Sequence, residues 1–129
     1  MDDAATWRDI EGTADDPNAL RGRRVLVMGL GLLGGGVAAA RYAVEQGAAE
    51  VVATDLRDEA TLAPSMNKLA GMPIRYVLGR HDPDDFARAE VVVRNPGVRR
   101  DSEYLSLARA SGARVEMELA WFFRACPGK

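Results

Sequence analysis

Five glycines stand between an apolar run, RVLVM, and an alanine-rich segment near the start of the chain. Gly29, Gly31 and Gly34 have the spacing G-x-G-x-x-G. In such a loop the first glycine permits a tight turn, the second lets the backbone approach a phosphate, and the third lets the next helix pack close to the strand. The spacing therefore predicts a phosphate-binding loop, and a tight β–α turn without a ligand is the alternative. It predicts no role for Gly35 and Gly36.

The anion in such a loop is bound by backbone N–H groups at the start of the following helix, where the helix dipole favours negative charge. No lysine follows the glycines, so this is not the ATP-binding loop of P-loop enzymes. The motif alone leaves the ligand open.

An acidic residue ends the second apolar run, EVVATD. An acidic side chain at this position commonly accepts hydrogen bonds from the ribose of NAD. Asp55 therefore makes an NAD-binding domain one functional hypothesis, and a cap on the following loop is the alternative. Arg57 either faces the ligand or is solvated.

A third candidate loop, Asn95-Pro96-Gly97, directly follows the apolar run VVVR. Pro96 fixes its own φ angle, and Gly97 leaves a backbone N–H accessible to a ligand. A second loop that contacts phosphate or sugar and an ordinary Pro-Gly turn are both consistent with these three residues.

Few other residues suggest chemistry. His81 is the one histidine, has no visible partner for acid–base catalysis, and is interpreted as a surface loop residue. Asp82, Asp84 and Asp85 are typical of a helix start rather than of a cation site. Cys126, the one cysteine, excludes an internal disulfide and indicates a reducing, cytoplasmic setting. We predict no catalytic residue and no metal site.

The elements that must position these loops alternate along the chain. Apolar runs at 24–29, 50–55, 74–79, 91–94 and 113–116 are predicted strands, separated by helical patterns. One of these helices is predicted at 64–71 with Pro64 in its first turn. Another begins at Asp101 or Ser102, and a last one covers 117–125. This alternation predicts an α/β fold, a Rossmann-like three-layer αβα domain with a five-stranded parallel sheet.

In such a sheet the fourth strand lies beside the first, and ligands bind beyond the carboxyl ends of the strands where the strand order reverses. Residues 1–22 are predicted to be a polar lead-in and residues 23–129 the Rossmann-like domain. The 129 residues are 47% hydrophobic and 28% charged, as in ordinary globular domains. A net charge of −2 gives no electrostatic reason to expect nucleic acid or a membrane surface as a partner.

A series of segments across residues 23–126 resembles the N-terminal domain of the Mur ligases. These segments are VLVMGLGLLG, ATDLR, LGRHDPDDF, VVVRNPGV and VEMELAWFF, in this order and at this spacing. The resemblance is strongest to the members that add D-glutamate to UDP-N-acetylmuramoyl-L-alanine in peptidoglycan synthesis. It implies a domain that binds the UDP part of that substrate.

The resemblance also assigns residues to the ligand. It implies diphosphate contacts from the backbone of Gly31, Leu32, Leu33 and Gly34, a uracil pocket at Asp55, Leu56 and Arg57, and nucleotide or sugar contacts from Asn95, Pro96 and Gly97. Hydroxyl residues are frequent in the family where this chain has Leu33 and Leu56, and serine where it has Asn95. At Leu33 only the backbone N–H is then left for the phosphate.

The family's chemistry needs more than this chain contains. Mur ligases use ATP and magnesium to activate a carboxylate as an acyl phosphate, which an amino acid then attacks. The ATP loop, the magnesium ligands and the amino-acid domain are not found in this sequence. We therefore expect binding without catalysis and no cofactor here, with the ATP-binding and C-terminal domains of the same ligase as partners. The alternatives are an NAD(P)-binding domain of an oxidoreductase or redox-sensing regulator, and a Mur-like domain that has lost its ligand.

Overall fold

The computed structural model describes residues 20–32, 34–95 and 102–117. The strands are β1 (Arg24–Met28), β2 (Glu50–Asp55), β3 (Ile74–Leu78), β4 (Val91–Arg94) and β5 (Arg114–Met117). The helices are α1 (Gly35–Glu45), α2 (Glu59–Lys68), α3 (Pro83–Arg88) and α4 (Glu103–Ala110). Strands and helices alternate as the sequence predicts.

The five strands form one parallel sheet in the order β3-β2-β1-β4-β5. The strand order reverses between β1 and β4, which pair in register from Val25 opposite Val91 to Met28 opposite Arg94. The predicted Rossmann-like α/β fold is therefore confirmed, and with it the place of β4 beside β1. In folds of this kind, such a reversal separates the connections that follow the two strands, and ligands bind at the carboxyl edge of the sheet there.

The core lies on both faces of the sheet. Val25 and Val27 of β1 point into the layer that contains α1 and α2, whereas Leu26 and Met28 point into the layer that contains α3 and α4. Successive strand residues face opposite sides, so a strand covered on both faces must be apolar throughout. This requirement explains why the strands appear in the sequence as continuous apolar runs.

Helix α2 differs from its prediction. It begins at Glu59, five residues before the predicted start, and contains Pro64 in its interior. The Asp58 side chain accepts a hydrogen bond of 2.8 Å from the Thr61 N–H and caps the helix. Proline favours the first turn of a helix. In the interior it removes one backbone hydrogen bond and clashes with the preceding turn, which disfavours this position without forbidding it. The stronger start signal is the acidic cap at Asp58.

The starts of α3 and α4 agree with their predictions. Asp82 caps α3 by accepting from the Asp84 N–H, and Ser102, one of the two predicted candidates, caps α4 by accepting from the Tyr104 N–H. Met117 ends β5, and the rest of the predicted last helix lies outside the described residues. So do residues 1–19 and Cys126. Across the part of the chain that the structure describes, every helix is too short or too polar to cross a bilayer.

Candidate functional site

Three loops meet at the carboxyl edge of the sheet. The Gly29 N–H donates to the Thr54 carbonyl at 2.8 Å, and the Asn95 N–H donates to the Met28 carbonyl at 2.9 Å. These bonds continue the β1–β2 and β1–β4 pairing by one residue beyond the strands. The glycine loop, the segment after β2 and the start of the loop after β4 are thereby brought to one edge, as predicted.

Gly31 is held by two side chains from different elements. Its N–H donates to Asp55 Oδ2 at 2.9 Å, and its carbonyl accepts a hydrogen bond from the Ser65 hydroxyl of α2. Its φ of +67° lies in the left-handed region that glycine adopts without strain. The sequence analysis missed Ser65, because no local pattern links it to a loop 34 residues away.

Asp55 faces the protein rather than the solvent. It is 4% exposed, and its second oxygen, Oδ1, accepts from the Arg57 N–H at 2.9 Å. The Arg57 guanidinium, whose side chain is 52% exposed, lies 3.5 Å from the same oxygen. The observed role of Asp55 is therefore the capping one, and it extends to the glycine loop as well as to its own loop.

The structure assigns the close contact between helix and strand to a different glycine from the one predicted. Gly34 is the N-cap of α1 with a φ of +100°, and open space surrounds the position of an added Cβ. A Cβ on Gly36, in contrast, would lie 2.7 Å from the Gly29 carbonyl oxygen and nearer still to that of Leu30. The close approach of helix to strand, which we expected at the third glycine of the motif, therefore occurs at Gly36.

Helix α1 begins without a side-chain cap. Gly34 has no side chain to accept a hydrogen bond, and the first turn contains no acidic residue. The first N–H groups of an α-helix have no partner within the helix, and they carry the positive end of its dipole. This end of α1 can therefore accept an anion.

Two leucines at this edge are exposed. Leu32 in the glycine loop is 42% exposed and Leu56 after β2 is 67% exposed, and among the described residues these are the exposed large hydrophobic side chains. Both belong to the predicted site. The exposed parts of these two side chains can offer apolar surface to a ligand.

Asn95 completes the described part of the site. Its Nδ2 atom lies 3.3 Å from the point where Gly31 would carry a Cβ, so the loop after β4 approaches the glycine loop closely. Leu33, Pro96 and Gly97 lie outside the described residues. The ligand contacts of all ten predicted residues stay a prediction.

His81 is more constrained than a surface loop residue, which corrects its interpretation. Its Nδ1 atom lies 2.7 Å from the Thr54 hydroxyl oxygen, and its ring packs edge-on against Phe86 and Tyr104 with centroids 5.7 and 5.1 Å apart. Burial lowers the pKa of His81 below its ordinary value, and the negative charge of Asp55 opposes this shift. The aromatic partners lie on α3 and at the start of α4, so only the fold brings them to the ring.

This lowered pKa predicts a pH-dependent stability. The unfolded chain takes up a proton near pH 6.5, where the native imidazole binds one less readily, so the free energy of unfolding should fall as the pH is lowered through 6.5. The stabilisation from neutral His81 is fully present above pH 6.5 and is lost progressively as the pH falls from there to the native pKa. Urea unfolding at pH 7.5, 6.5 and 5.5 measures it. His81→Gln should flatten this segment of the profile, and equal slopes in both proteins would contradict the prediction.

The acidic cluster before and within α3 is structural. Asp82 caps the helix, and the buried Asp85 pairs with Arg75 at 2.6 Å. In residues 20–32, 34–95 and 102–117, no three histidine, cysteine or acidic side chains are grouped as metal ligands would be. The described cluster therefore stabilises the helix and its link to β3.

Sequence comparison identifies the family. The family model described as "Mur ligase MurD-like, N-terminal domain" matches residues 23–116. The chain belongs to this family. The match spans β1 to β4, β5 as far as Glu116, and the three loops that meet at the carboxyl edge of this MurD-like domain.

Close relatives of this MurD-like chain are D-glutamate ligases. It is 58% identical over 109 residues to the UDP-N-acetylmuramoylalanine–D-glutamate ligase of Roseiflexus sp. (strain RS-1), an alignment that covers 84% of this chain and 23% of the ligase. The chain thus spans about a quarter of the length of the curated relatives that it matches.

Solved structures share the fold. The shikimate dehydrogenase of Mycobacterium tuberculosis matches with a TM-score of 0.54 at 19% identity, covering 91% of this chain and 54% of the dehydrogenase. A pseudomurein peptide ligase type C from Methanothermus fervidus matches with a TM-score of 0.50 at 18% identity, covering 74% and 19%. At such identities the likeness extends to the fold and not to the ligand.

Proposed function

We propose that this MurD-like domain binds the UDP part of UDP-N-acetylmuramoyl-L-alanine. In the corresponding full-length ligase, D-glutamate would be added to this substrate with ATP hydrolysis during peptidoglycan synthesis. The ATP and magnesium chemistry would reside in parts of the ligase outside these 129 residues. This chain would then bind the substrate without catalysing its reaction.

The observation that carries the proposal is the combination of an uncapped helix start with two exposed leucines at one edge of the sheet. The start of α1 suits a diphosphate, because its N–H groups lack acceptors within the helix. Leu56 after β2 offers apolar surface for the flat face of a uracil ring, and Leu32 adds apolar surface beside the glycine loop. A nucleoside diphosphate contains both groups, an anionic diphosphate and a base with an apolar face.

The burial of Asp55 favours uridine over a dinucleotide. In an NAD-binding domain the corresponding carboxylate must reach the ribose hydroxyl groups. Here both carboxylate oxygens accept backbone N–H groups, and only 4% of the residue is exposed. With so little of the carboxylate exposed, the hydroxyl groups of a ribose have little access to it.

Calorimetric titration of the 129-residue chain tests the proposal. UDP-N-acetylmuramoyl-L-alanine and UDP should bind, and NADH should give no response at the same concentrations. Heat from NADH without a response to either uridine compound would instead support an NAD-binding domain. A folded chain that binds none of the three at millimolar concentration would favour a domain that has lost its ligand.

The Leu56→Ser variant tests the base pocket. Removing apolar surface that the ring covers should weaken UDP binding about five- to tenfold, the equivalent of roughly 1–1.4 kcal/mol. Since Leu56 is exposed, its replacement should leave the urea midpoint nearly unchanged. Ser106→Ala on the exposed side of α4 is the control and should bind UDP like the parent. Unaltered affinity in Leu56→Ser would remove this side chain from the pocket.

A further inference from the structure

We infer that Ser65 is a positioning residue for the phosphate-binding loop. The inference rests on the proposed function and adds to the family resemblance, which assigns no role to α2. It follows from one hydrogen bond between α2 and the glycine loop, and from the second bond on the other side of the same glycine.

The Ser65 side chain has an uncommon hydrogen-bond partner for a serine inside a helix. A serine inside a helix usually bonds to a carbonyl one turn earlier in the same helix or points to solvent. Ser65 is instead 3% exposed, and its hydroxyl donates to the carbonyl of Gly31 in another element. A buried hydroxyl without a partner would be destabilising, so this bond selects one orientation for the Gly31 carbonyl.

The second bond acts on the other side of the residue. Asp55 Oδ2 accepts from the Gly31 N–H, so the peptide groups before and after Gly31 are both held. A glycine-rich loop otherwise has many backbone conformations to lose when it binds an anion. With Gly31 fixed at a φ of +67°, the N–H groups that follow it keep the direction that they need at the start of α1.

This arrangement predicts a selective defect. Ser65 acts on the part of the loop that faces phosphate, whereas the exposed Leu56 and Arg57 are fixed through Asp55 and the end of β2. Loss of the Ser65 hydroxyl should therefore weaken the binding of phosphate-containing ligands and leave binding of the bare nucleoside unchanged. Loss of a residue that only stabilised the fold would weaken the binding of both ligands to the same extent.

The experiment compares UDP with uridine in Ser65→Ala, Ser65→Cys and Ser106→Ala, by calorimetry for UDP and protein-observed NMR for uridine. Ser65→Ala should bind UDP about tenfold more weakly and uridine as the parent does. Ser65→Cys leaves no cavity and replaces the hydroxyl by a slightly larger and weakly donating thiol, so it should show the same selective loss even if the alanine variant folds poorly. Ser106→Ala makes the same change at an exposed position of α4 and should bind both ligands normally.

The outcomes separate the inference from the proposed function. If the parent binds UDP and both Ser65 variants retain full affinity, or lose affinity for UDP and uridine equally, the positioning role is overturned. If the parent itself binds neither ligand, the proposed function fails first. A loss confined to UDP in either folded Ser65 variant supports the inference.

Discussion

Replacing Gly36 by alanine should destabilise the domain by about 3 kcal/mol. The added Cβ would overlap the carbonyl oxygens of Gly29 and Leu30, which belong to the backbone and cannot rotate away like a side chain. Relief of the overlap requires α1 to move off the end of β1, where Leu30 is fully buried. This cost outweighs the stabilisation of about 1 kcal/mol that alanine normally gives over glycine inside a helix.

A glycine-to-alanine change inside a helix normally stabilises a protein, whereas Gly36→Ala is expected to destabilise this one, so the direction of the change tests the close contact. Ala38→Gly, at an exposed position of the same helix, is the control and should lower the free energy of unfolding by about 1 kcal/mol through helix propensity alone. Urea unfolding of both variants gives the comparison. A higher midpoint for Gly36→Ala than for the parent would show that the helix and strand are not in close contact at this point.

Asp55→Asn should have the second largest effect, lowering the free energy of unfolding by about 2–3 kcal/mol. Both carboxylate oxygens accept a backbone N–H, from Gly31 and from Arg57. An amide of the same shape has one oxygen, so its NH₂ group must face one of these donors. The Gly31 N–H is buried, and its loss of a partner should also weaken UDP binding by tenfold or more.

The matched control lies three residues away. Asp58 uses one oxygen to accept from the Thr61 N–H at the start of α2, a role that asparagine performs about equally well. Asp58→Asn should therefore leave both the urea midpoint and the UDP affinity close to those of the parent. Equal effects of the two substitutions would mean that the second acceptor of Asp55 has no special importance.

Much of the fold could be predicted because its signals are local or periodic. Strands buried on both faces must be continuously apolar, and breakers such as Gly47 and Gly112 separate them from helices. Alternation of the two patterns then leads to a parallel sheet. The start of α2 was predicted wrongly because Pro64 was given more weight than the cap at Asp58.

The meeting of the three candidate loops could be predicted from the sequence, but the contacts among their residues could not. The ends of β1, β2 and β4 were expected to meet, and the bonds from Gly29 and Asn95 show that they do. The hydrogen bond from the Gly31 N–H to Asp55 and the contact of His81 with Thr54 were not predicted. Each depends on atoms 24 or more residues apart in the chain, for which one sequence contains no periodic signal.

By itself the sequence determined the α/β class, the order of its elements and the edge of the sheet at which the three candidate loops meet. These properties follow from hydrophobic periodicity and local breakers, whereas the family was inferred from the resemblance of a series of segments along the domain. Only the tertiary structure decided that Gly36 makes the close contact with β1 and that Ser65 and Asp55 hold Gly31 from both sides. The reason is physical: a hydrogen bond or a steric overlap depends on distances of a few tenths of an ångström, and packing alone sets these between distant parts of a chain.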